Sequence, residues 1–198
     1  MQDKPDLAAL IGSRICHDLI SPIGAIGNGV ELLMMDGAAQ TPELALIAES
    51  VASANARIRF FRVAYGAAGS DQRIARGEVA GIIADMTRGG RLQVEWISPM
   101  ELSRREVKLA FLLLQCLETA MAYGGKVRIE KGDGPWIMQA EAPRLKIDPA
   151  LWEVLTGHQP PSGIGAGQVH FALAPAELQA QGRRLAAELK ENTVRLQF

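Results

Sequence analysis

Residues 15–33 read ICHDLISPIGAIGNGVELL, and this stretch decides the fold of the first third of the chain. Apolar residues recur in it every three or four positions, namely at Ile15, Leu19, Ile23, Ile26, Val30 and Leu33. This spacing places one apolar stripe along an α-helix. We therefore predict one long helix from about Asp6 to Met35.

A second helix is predicted directly after the first. Asp36-Gly37 supplies a stop signal, and Thr41-Pro42-Glu43 supplies an N-cap, a proline in the first turn and an early acid. Apolar residues then follow at alternating steps, as in a coiled-coil seam, at Leu44, Ile47, Val51, Ala54, Ile58, Phe61 and Tyr65. Residues 1–68 are thus predicted to form a helical hairpin. Because such a hairpin cannot bury its apolar residues alone, we expect two copies to form a four-helix bundle in a homodimer.

The pattern changes after a predicted linker at residues 69–77, and residues 78–198 mix helical and strand patterns. The predicted helices span about 78–88, 104–123, 148–155 and 168–181, and the predicted strands span about 91–97, 126–130, 136–142, 185–189 and 193–198. Ser103 and Glu106 predict a capping box at the second of these helices. We expect an α+β fold, in which the hairpin is followed by an α/β sandwich with a mixed sheet.

Composition argues against several classes of function. The 198 residues include 21 basic and 22 acidic ones, and no basic run that would favour nucleic-acid binding. The longest strictly apolar run, Leu109–Leu114, is far shorter than the roughly 20 residues of a membrane-spanning helix. The N-terminus lacks a secretory pattern, and Cys16 and Cys116 are the only cysteines. We expect a cytoplasmic protein with two unpaired, buried cysteines.

His17 is the candidate functional residue of the first helix. At 100° per residue it lies about 160° from Leu19, so it points away from the expected core of the bundle. A lone histidine is more often a buried structural residue, but this face of the helix offers no buried partner. The surface around His17 mixes small, polar and apolar residues, which favours a docking surface for a partner. The residues expected to contact that partner are Leu10, Arg14, Ile20 and Gly24.

The sequence His17-Asp18-Leu19-Ile20-Ser21-Pro22-Ile23 resembles the H-box of histidine kinases. The resemblance implies that His17 is phosphorylated on a dimeric hairpin and that Asp18 helps as a base. It also implies that Ser21, which stands where the kinases have threonine or asparagine, helps to position the reacting groups.

Residues 78–198 resemble the ATP-binding domain of the same kinases in the order of their elements, but the nucleotide motifs are missing. Gln115 and Thr119 stand where the asparagine box should be, and residues 141–145 contain no glycine where an adenine-binding box should be. A phosphoacceptor hairpin joined to such a domain is similar to the ChpT-type dimeric histidine phosphotransferases. This resemblance implies phosphoryl transfer from the receiver domain of a hybrid histidine kinase to the receivers of response regulators. It implies no cofactor and no metal of the chain's own, with Mg²⁺ supplied by the receiver.

Two alternatives remain open at this point. The first is a histidine kinase fragment that phosphorylates itself from ATP, and Gln115, Thr119 and Glu141 at the nucleotide positions argue against it. The second is a dimeric adaptor that binds receivers and transfers nothing. The exposed position expected for His17 argues against that adaptor.

Overall fold

The computed structural model describes residues 7–35, 41–158 and 163–198, which form an α+β fold as predicted. The helices are α1 Leu7–Met35, α2 Pro42–Ala64, α3 Arg76–Thr87, α4 Arg104–Ala120, α5 Pro149–Leu155 and α6 His170–Ala180. The strands are β1 Arg73–Ala75, β2 Leu92–Ile97, β3 Glu101–Ser103, β4 Gly125–Lys131, β5 Trp136–Glu141, β6 Ala186–Leu189 and β7 Thr193–Gln197. The described residues divide into two compact units. The first unit contains the described residues up to Ala68 together with Gly81–Met86, and the second unit contains the remaining described residues.

α1 and α2 form the predicted helical hairpin. The predicted N-cap of α2 is confirmed, because the Thr41 hydroxyl oxygen accepts a hydrogen bond from the backbone N–H of Leu44 at 3.3 Å. Pro42 occupies the first turn, where its missing N–H costs nothing. Asp6 and the stop signal at Asp36-Gly37 lie outside the described residues.

Small residues allow α1 to approach α2 closely. A Cβ atom at Gly27 would lie 3.3 Å from Cγ1 of Val51, so even an alanine there would require the Val51 side chain to shift by a few tenths of an ångström. Three residues of α1 are buried on this side, namely Ala9, Cys16 and Val30. Close packing therefore offsets the cost of about 1 kcal/mol that a glycine brings to a helix.

The stripe predicted along α1 is not a single buried face within one chain. Val30 is buried and Ile23 is half-buried, because both lie towards α2. Four other members of the stripe each expose more than two fifths of their surface, namely Ile15, Leu19, Ile26 and Leu33. These exposed residues lie about 100° around the helix from the side that faces α2. A single partner helix covers one side of α1 and leaves the other side open.

A five-stranded mixed sheet forms the centre of the second unit, in the order β2-β4-β5-β7-β6. β2 runs parallel to β4, and the remaining pairs are antiparallel. Alternate residues such as Val127 and Ile129 are buried, and the residues between them face solvent. The buried face packs against α4, where the rings of Trp96 and Phe111 meet edge to face at 6.1 Å. Both cysteines are unpaired and buried, as predicted.

The capping box predicted at the start of α4 was wrong. The Ser103 side chain makes no capping hydrogen bond. Glu106 instead accepts hydrogen bonds from Nε1 of Trp136, at 3.4 Å, and from Arg183, which lies 77 positions away in the chain. An ion pair with a partly buried arginine competes successfully with a local cap, and a short sequence pattern cannot reveal such a distant partner.

The segment expected to be a linker, residues 69–77, also carries ordered structure. β1 pairs antiparallel with β3, so that Ile74 lies opposite Leu102 and both side chains are buried. α3 begins at Arg76, two residues earlier than predicted. A three-residue strand is too short for an alternating pattern to identify it. The helix predicted at about 168–181 is α6, which runs without interruption through Pro175.

His170 is a buried core residue at the start of α6, with 4% of its surface exposed. Its Nε2 lies 3.1 Å from the hydroxyl oxygen of Thr119, which donates its own proton to the carbonyl oxygen of Gln115. The hydroxyl oxygen therefore accepts a hydrogen bond from Nε2–H of His170. Burial lowers the pKa of His170 to about 4, so the ring is neutral at pH 7.

We expect acid to destabilise the protein through His170. An unfolded histidine has a pKa of about 6.5, so below that pH the unfolded chain binds the proton more readily than the folded chain. The resulting loss in the free energy of unfolding grows as the pH falls and reaches about 3 kcal/mol near pH 4. Urea unfolding between pH 7.5 and pH 4.5 should therefore show a smaller loss for His170→Gln than for wild type. His158→Gln, at an exposed histidine, is the matched control. Equal losses in wild type and His170→Gln would contradict the prediction.

Candidate functional site

His17 projects into solvent from the middle of α1. Its side chain is 83% exposed, which confirms the exposure predicted from the helical spacing. The residues that face α2 lie about 100° to one side of it, and the exposed apolar stripe lies about 160° away. α1 therefore has three distinct sides, and His17 occupies the one that neither α2 nor the apolar stripe uses.

The carboxylate of Asp18 contacts two side chains, one with each oxygen. Oδ1 lies 3.2 Å from Nδ1 of His17, and Oδ2 accepts a hydrogen bond from Nε of Arg14 at 2.7 Å. The hydrogen bond with His17, followed by the hydrogen bond and charge of Arg14, lowers the pKa of Asp18 below its ordinary value. Asp18 is therefore ionised at neutral pH.

This contact determines which nitrogen of His17 can react. An ionised carboxylate only accepts hydrogen bonds, so the contact with Asp18 places the ring proton on Nδ1. A neutral imidazole with its proton on Nδ1 carries its free lone pair on Nε2. Nε2 of His17 is thus the nucleophilic nitrogen, and an exposed nucleophilic imidazole can form a covalent phosphoryl intermediate.

The other predicted site residues lie on the same side of α1 around this cluster. Leu10 is 47% exposed, Ile20 is half-buried and Ser21 is exposed. A Cβ atom built at Gly24 meets no other atom within 4 Å, so the space above this residue is open. Asp18 contacts both Arg14 and His17, whereas these four residues form the surface beside that cluster.

The ion pair between Arg14 and Asp18 was missed by the sequence analysis, which assigned Arg14 only to partner docking. The spacing of four residues on one helix is the signal that could have revealed it, because side chains four apart are neighbours on a helix surface.

Gln115 and Thr119, which stand at the positions of the asparagine box in α4, make contacts within the second unit. The Thr119 hydroxyl bonds to Gln115 and His170, and Gln115 is 9% exposed. Across residues 7–35, 41–158 and 163–198, no group of three or more histidine, cysteine or acidic side chains could hold a metal ion. None of the helices in these ranges is long and apolar enough to cross a membrane.

Comparisons with known proteins agree with the predicted family. The family model described as "Histidine phosphotransferase C-terminal domain" matches residues 76–193. The protein phosphotransferase ChpT of Brucella abortus (strain 2308) is 36% identical over 180 residues, which cover 87% of this chain and 86% of that protein. A solved structure described as a bacterial phosphotransferase matches with a TM-score of 0.70 and 29% identity, over 97% of this chain and 95% of that one. The chain therefore belongs to the histidine phosphotransferase family, and its activity is phosphoryl transfer in a phosphorelay, as the sequence predicts.

Proposed function

We propose that His17 is the phosphoacceptor of this phosphotransferase and that it carries a phosphoryl group between the aspartates of receiver domains. The observation that supports this role is the exposed imidazole whose Nδ1 faces the Asp18 carboxylate. The donor is the receiver of a hybrid histidine kinase, the acceptors are receivers of response regulators, and the exchange takes place in the cytoplasm.

The transfer step is balanced without any proton leaving the site. Nε2 of His17 attacks the phosphorus of an aspartyl phosphate, and the N–P bond forms as the bond between phosphorus and the aspartate oxygen breaks. The aspartate leaves as a carboxylate. The ring keeps its proton on Nδ1, and the Asp18 carboxylate stabilises the positive charge that develops there. The reverse step delivers the phosphoryl group to a second receiver.

The remaining groups position the phosphoryl group and neutralise its charge, which is most of what phosphoryl transfer requires. The Ser21 hydroxyl lies exposed one turn after His17, where it can donate a hydrogen bond to a phosphoryl oxygen. Mg²⁺ comes with the receiver, and this chain contributes no cofactor or metal of its own.

A homodimer accounts for the exposed apolar side of α1. Five apolar residues recur along almost the whole helix, namely Ile11, Ile15, Leu19, Ile26 and Leu33, and each is at least 43% exposed. An apolar side of this length marks an interface. A second copy of the chain fits it, because the apolar spacing is that of helices in a bundle, and pairing on this side leaves His17 exposed.

We expect His17→Gln to abolish transfer from a phosphorylated receiver domain. The melting temperature should stay within about 1 °C of wild type, because an exposed side chain contributes little to packing. Transfer of labelled phosphoryl groups and thermal unfolding measure the two effects, and His158→Gln should transfer normally. Persistent transfer, or a loss of several degrees in melting temperature, would refute the role of His17.

We expect Ile15→Asp and Ile26→Asp to convert the dimer into monomers. Each places a charge in an interface that has no partner for it. Leu32→Asp is the matched control, because Leu32 is 64% exposed but lies outside the apolar stripe. Sedimentation at micromolar concentration distinguishes the states. A monomeric wild-type protein, or equal dissociation by all three substitutions, would exclude the proposed interface.

We propose that receivers dock on the side of α1 that carries His17, through Leu10, Arg14, Ile20 and Gly24. Gly24→Gln should slow transfer, because its side chain extends into open space that the receiver would fill. Leu10→Glu should slow it too, by placing a carboxylate against the acidic phosphorylation site of the receiver. Gly77→Gln in α3, also at an open position, is the control for added bulk. Both test variants should remain dimers, and unchanged transfer rates in both would place docking elsewhere.

A further inference from the structure

Arg14, Asp18 and His17 form a chain of contacts that is built entirely on one turn of α1. Arg14 lies four residues before Asp18, and its Nε donates to Oδ2 at 2.7 Å, which is a short distance for a charged pair. The longer contact, 3.2 Å, joins the other oxygen of the same carboxylate to His17. The better-formed bond therefore lies on the side of Asp18 away from the reacting ring.

Because these side chains are exposed, the hydrogen bond from Arg14 matters for the contact between Asp18 and His17. The side chains of Arg14 and Asp18 are 76% and 48% exposed, so water competes for both carboxylate oxygens. An aspartate held only by a single solvent-exposed contact can leave it by rotating to another staggered conformation. A second bond, to the opposite oxygen, favours the one conformation in which Oδ1 faces Nδ1 of His17.

We propose that Arg14 is a positioning residue, which holds the Asp18 carboxylate against Nδ1 of His17 and so keeps Nε2 as the nucleophilic nitrogen. This inference rests on the proposed role of His17 as the phosphoacceptor. Arg14 takes no part in bond making or breaking, and the proton stays on Nδ1 during the transfer step. Its contribution comes through Asp18 and is distinct from any contact that Arg14 makes with a receiver.

The effect of Arg14 should be modest, because exposed ion pairs are weak. Loss of such a pair corresponds to a change of about two- to fivefold in a rate or population. An Arg14→Lys variant should recover part of the effect. Lysine keeps the charge and a donor but lacks the planar fork of the guanidinium group.

The first test measures the tautomer of His17 with no partner present. Nitrogen NMR at about pH 8.5, where imidazoles are neutral, reports which ring nitrogen carries the proton. The signals that disappear in His17→Gln are those of the His17 ring. Wild type should hold the proton mainly on Nδ1, and Arg14→Ala should move it towards Nε2. Arg14→Lys should be intermediate, and Arg57→Ala, at an exposed arginine of α2, should match wild type. An unchanged tautomer in Arg14→Ala would overturn the proposal.

The second test is a double-mutant cycle on transfer from a phosphorylated receiver domain. Arg14→Ala should slow transfer two- to fivefold more in the wild-type background than in the Asp18→Ala background, where only a contact between Arg14 and the receiver is left to lose. An equal loss in both backgrounds would show that Arg14 acts on the receiver directly, and would overturn the proposal. If His17 were not the phosphoacceptor, His17→Gln would still transfer normally. The tautomer measurement would even then decide whether Arg14 positions Asp18.

Discussion

The packing of α1 against α2 is the contact on which the rest of the site depends. This packing occupies one side of α1, where a Cβ atom at Gly27 would lie 3.3 Å from Cγ1 of Val51 and would require that side chain to shift by a few tenths of an ångström. Once that side is fixed, the periodicity of the helix assigns every other residue to a direction. His17 follows Cys16, which is buried against α2, and one step of 100° carries its ring into solvent. The exposed position of His17 is thus a consequence of helix packing.

α1 has three distinct sides, and this accounts for residues that a helix with only one apolar and one polar side would not need. An amphipathic surface helix has one apolar side and one polar side. α1 has a close-packed side of small residues, a second apolar side that one chain leaves exposed, and a third side with His17, Asp18 and Arg14. The helix contains glycines, exposed aliphatic residues and the cluster around His17 because residues of all three sides alternate along the same sequence.

Local signals in the sequence predicted much of this structure, and long-range contacts account for most of what they missed. The N-cap at Thr41 and the exposure of His17 follow from neighbouring residues alone. Glu106 could not be placed that way, because Arg183 is distant in sequence. The sequence also could not predict that the apolar stripe of α1 has both buried and exposed members within one chain. Periodicity shows which residues share a side of the helix but not how many partner helices cover that side. At the site, the H-box pattern pointed to His17 and Asp18 as candidates, whereas the contact between Arg14 and Asp18 lies outside that pattern and is signalled only by their spacing of four residues on one helix.

Weak, exposed contacts around His17 suit a group that receives a phosphoryl group and gives it away again. A buried ion pair would hold the ring more firmly, but burying charges carries a large desolvation cost and would close the ring to a partner. Exposed contacts on one turn avoid that cost and still bias the tautomer. In the proposed transfer step Asp18 accepts from the ring without removing its proton, so the same arrangement would serve both the attack by Nε2 and the return step. The reversibility proposed for this site would therefore follow from a cluster that is ordered by neighbours on one helix and remains open to solvent.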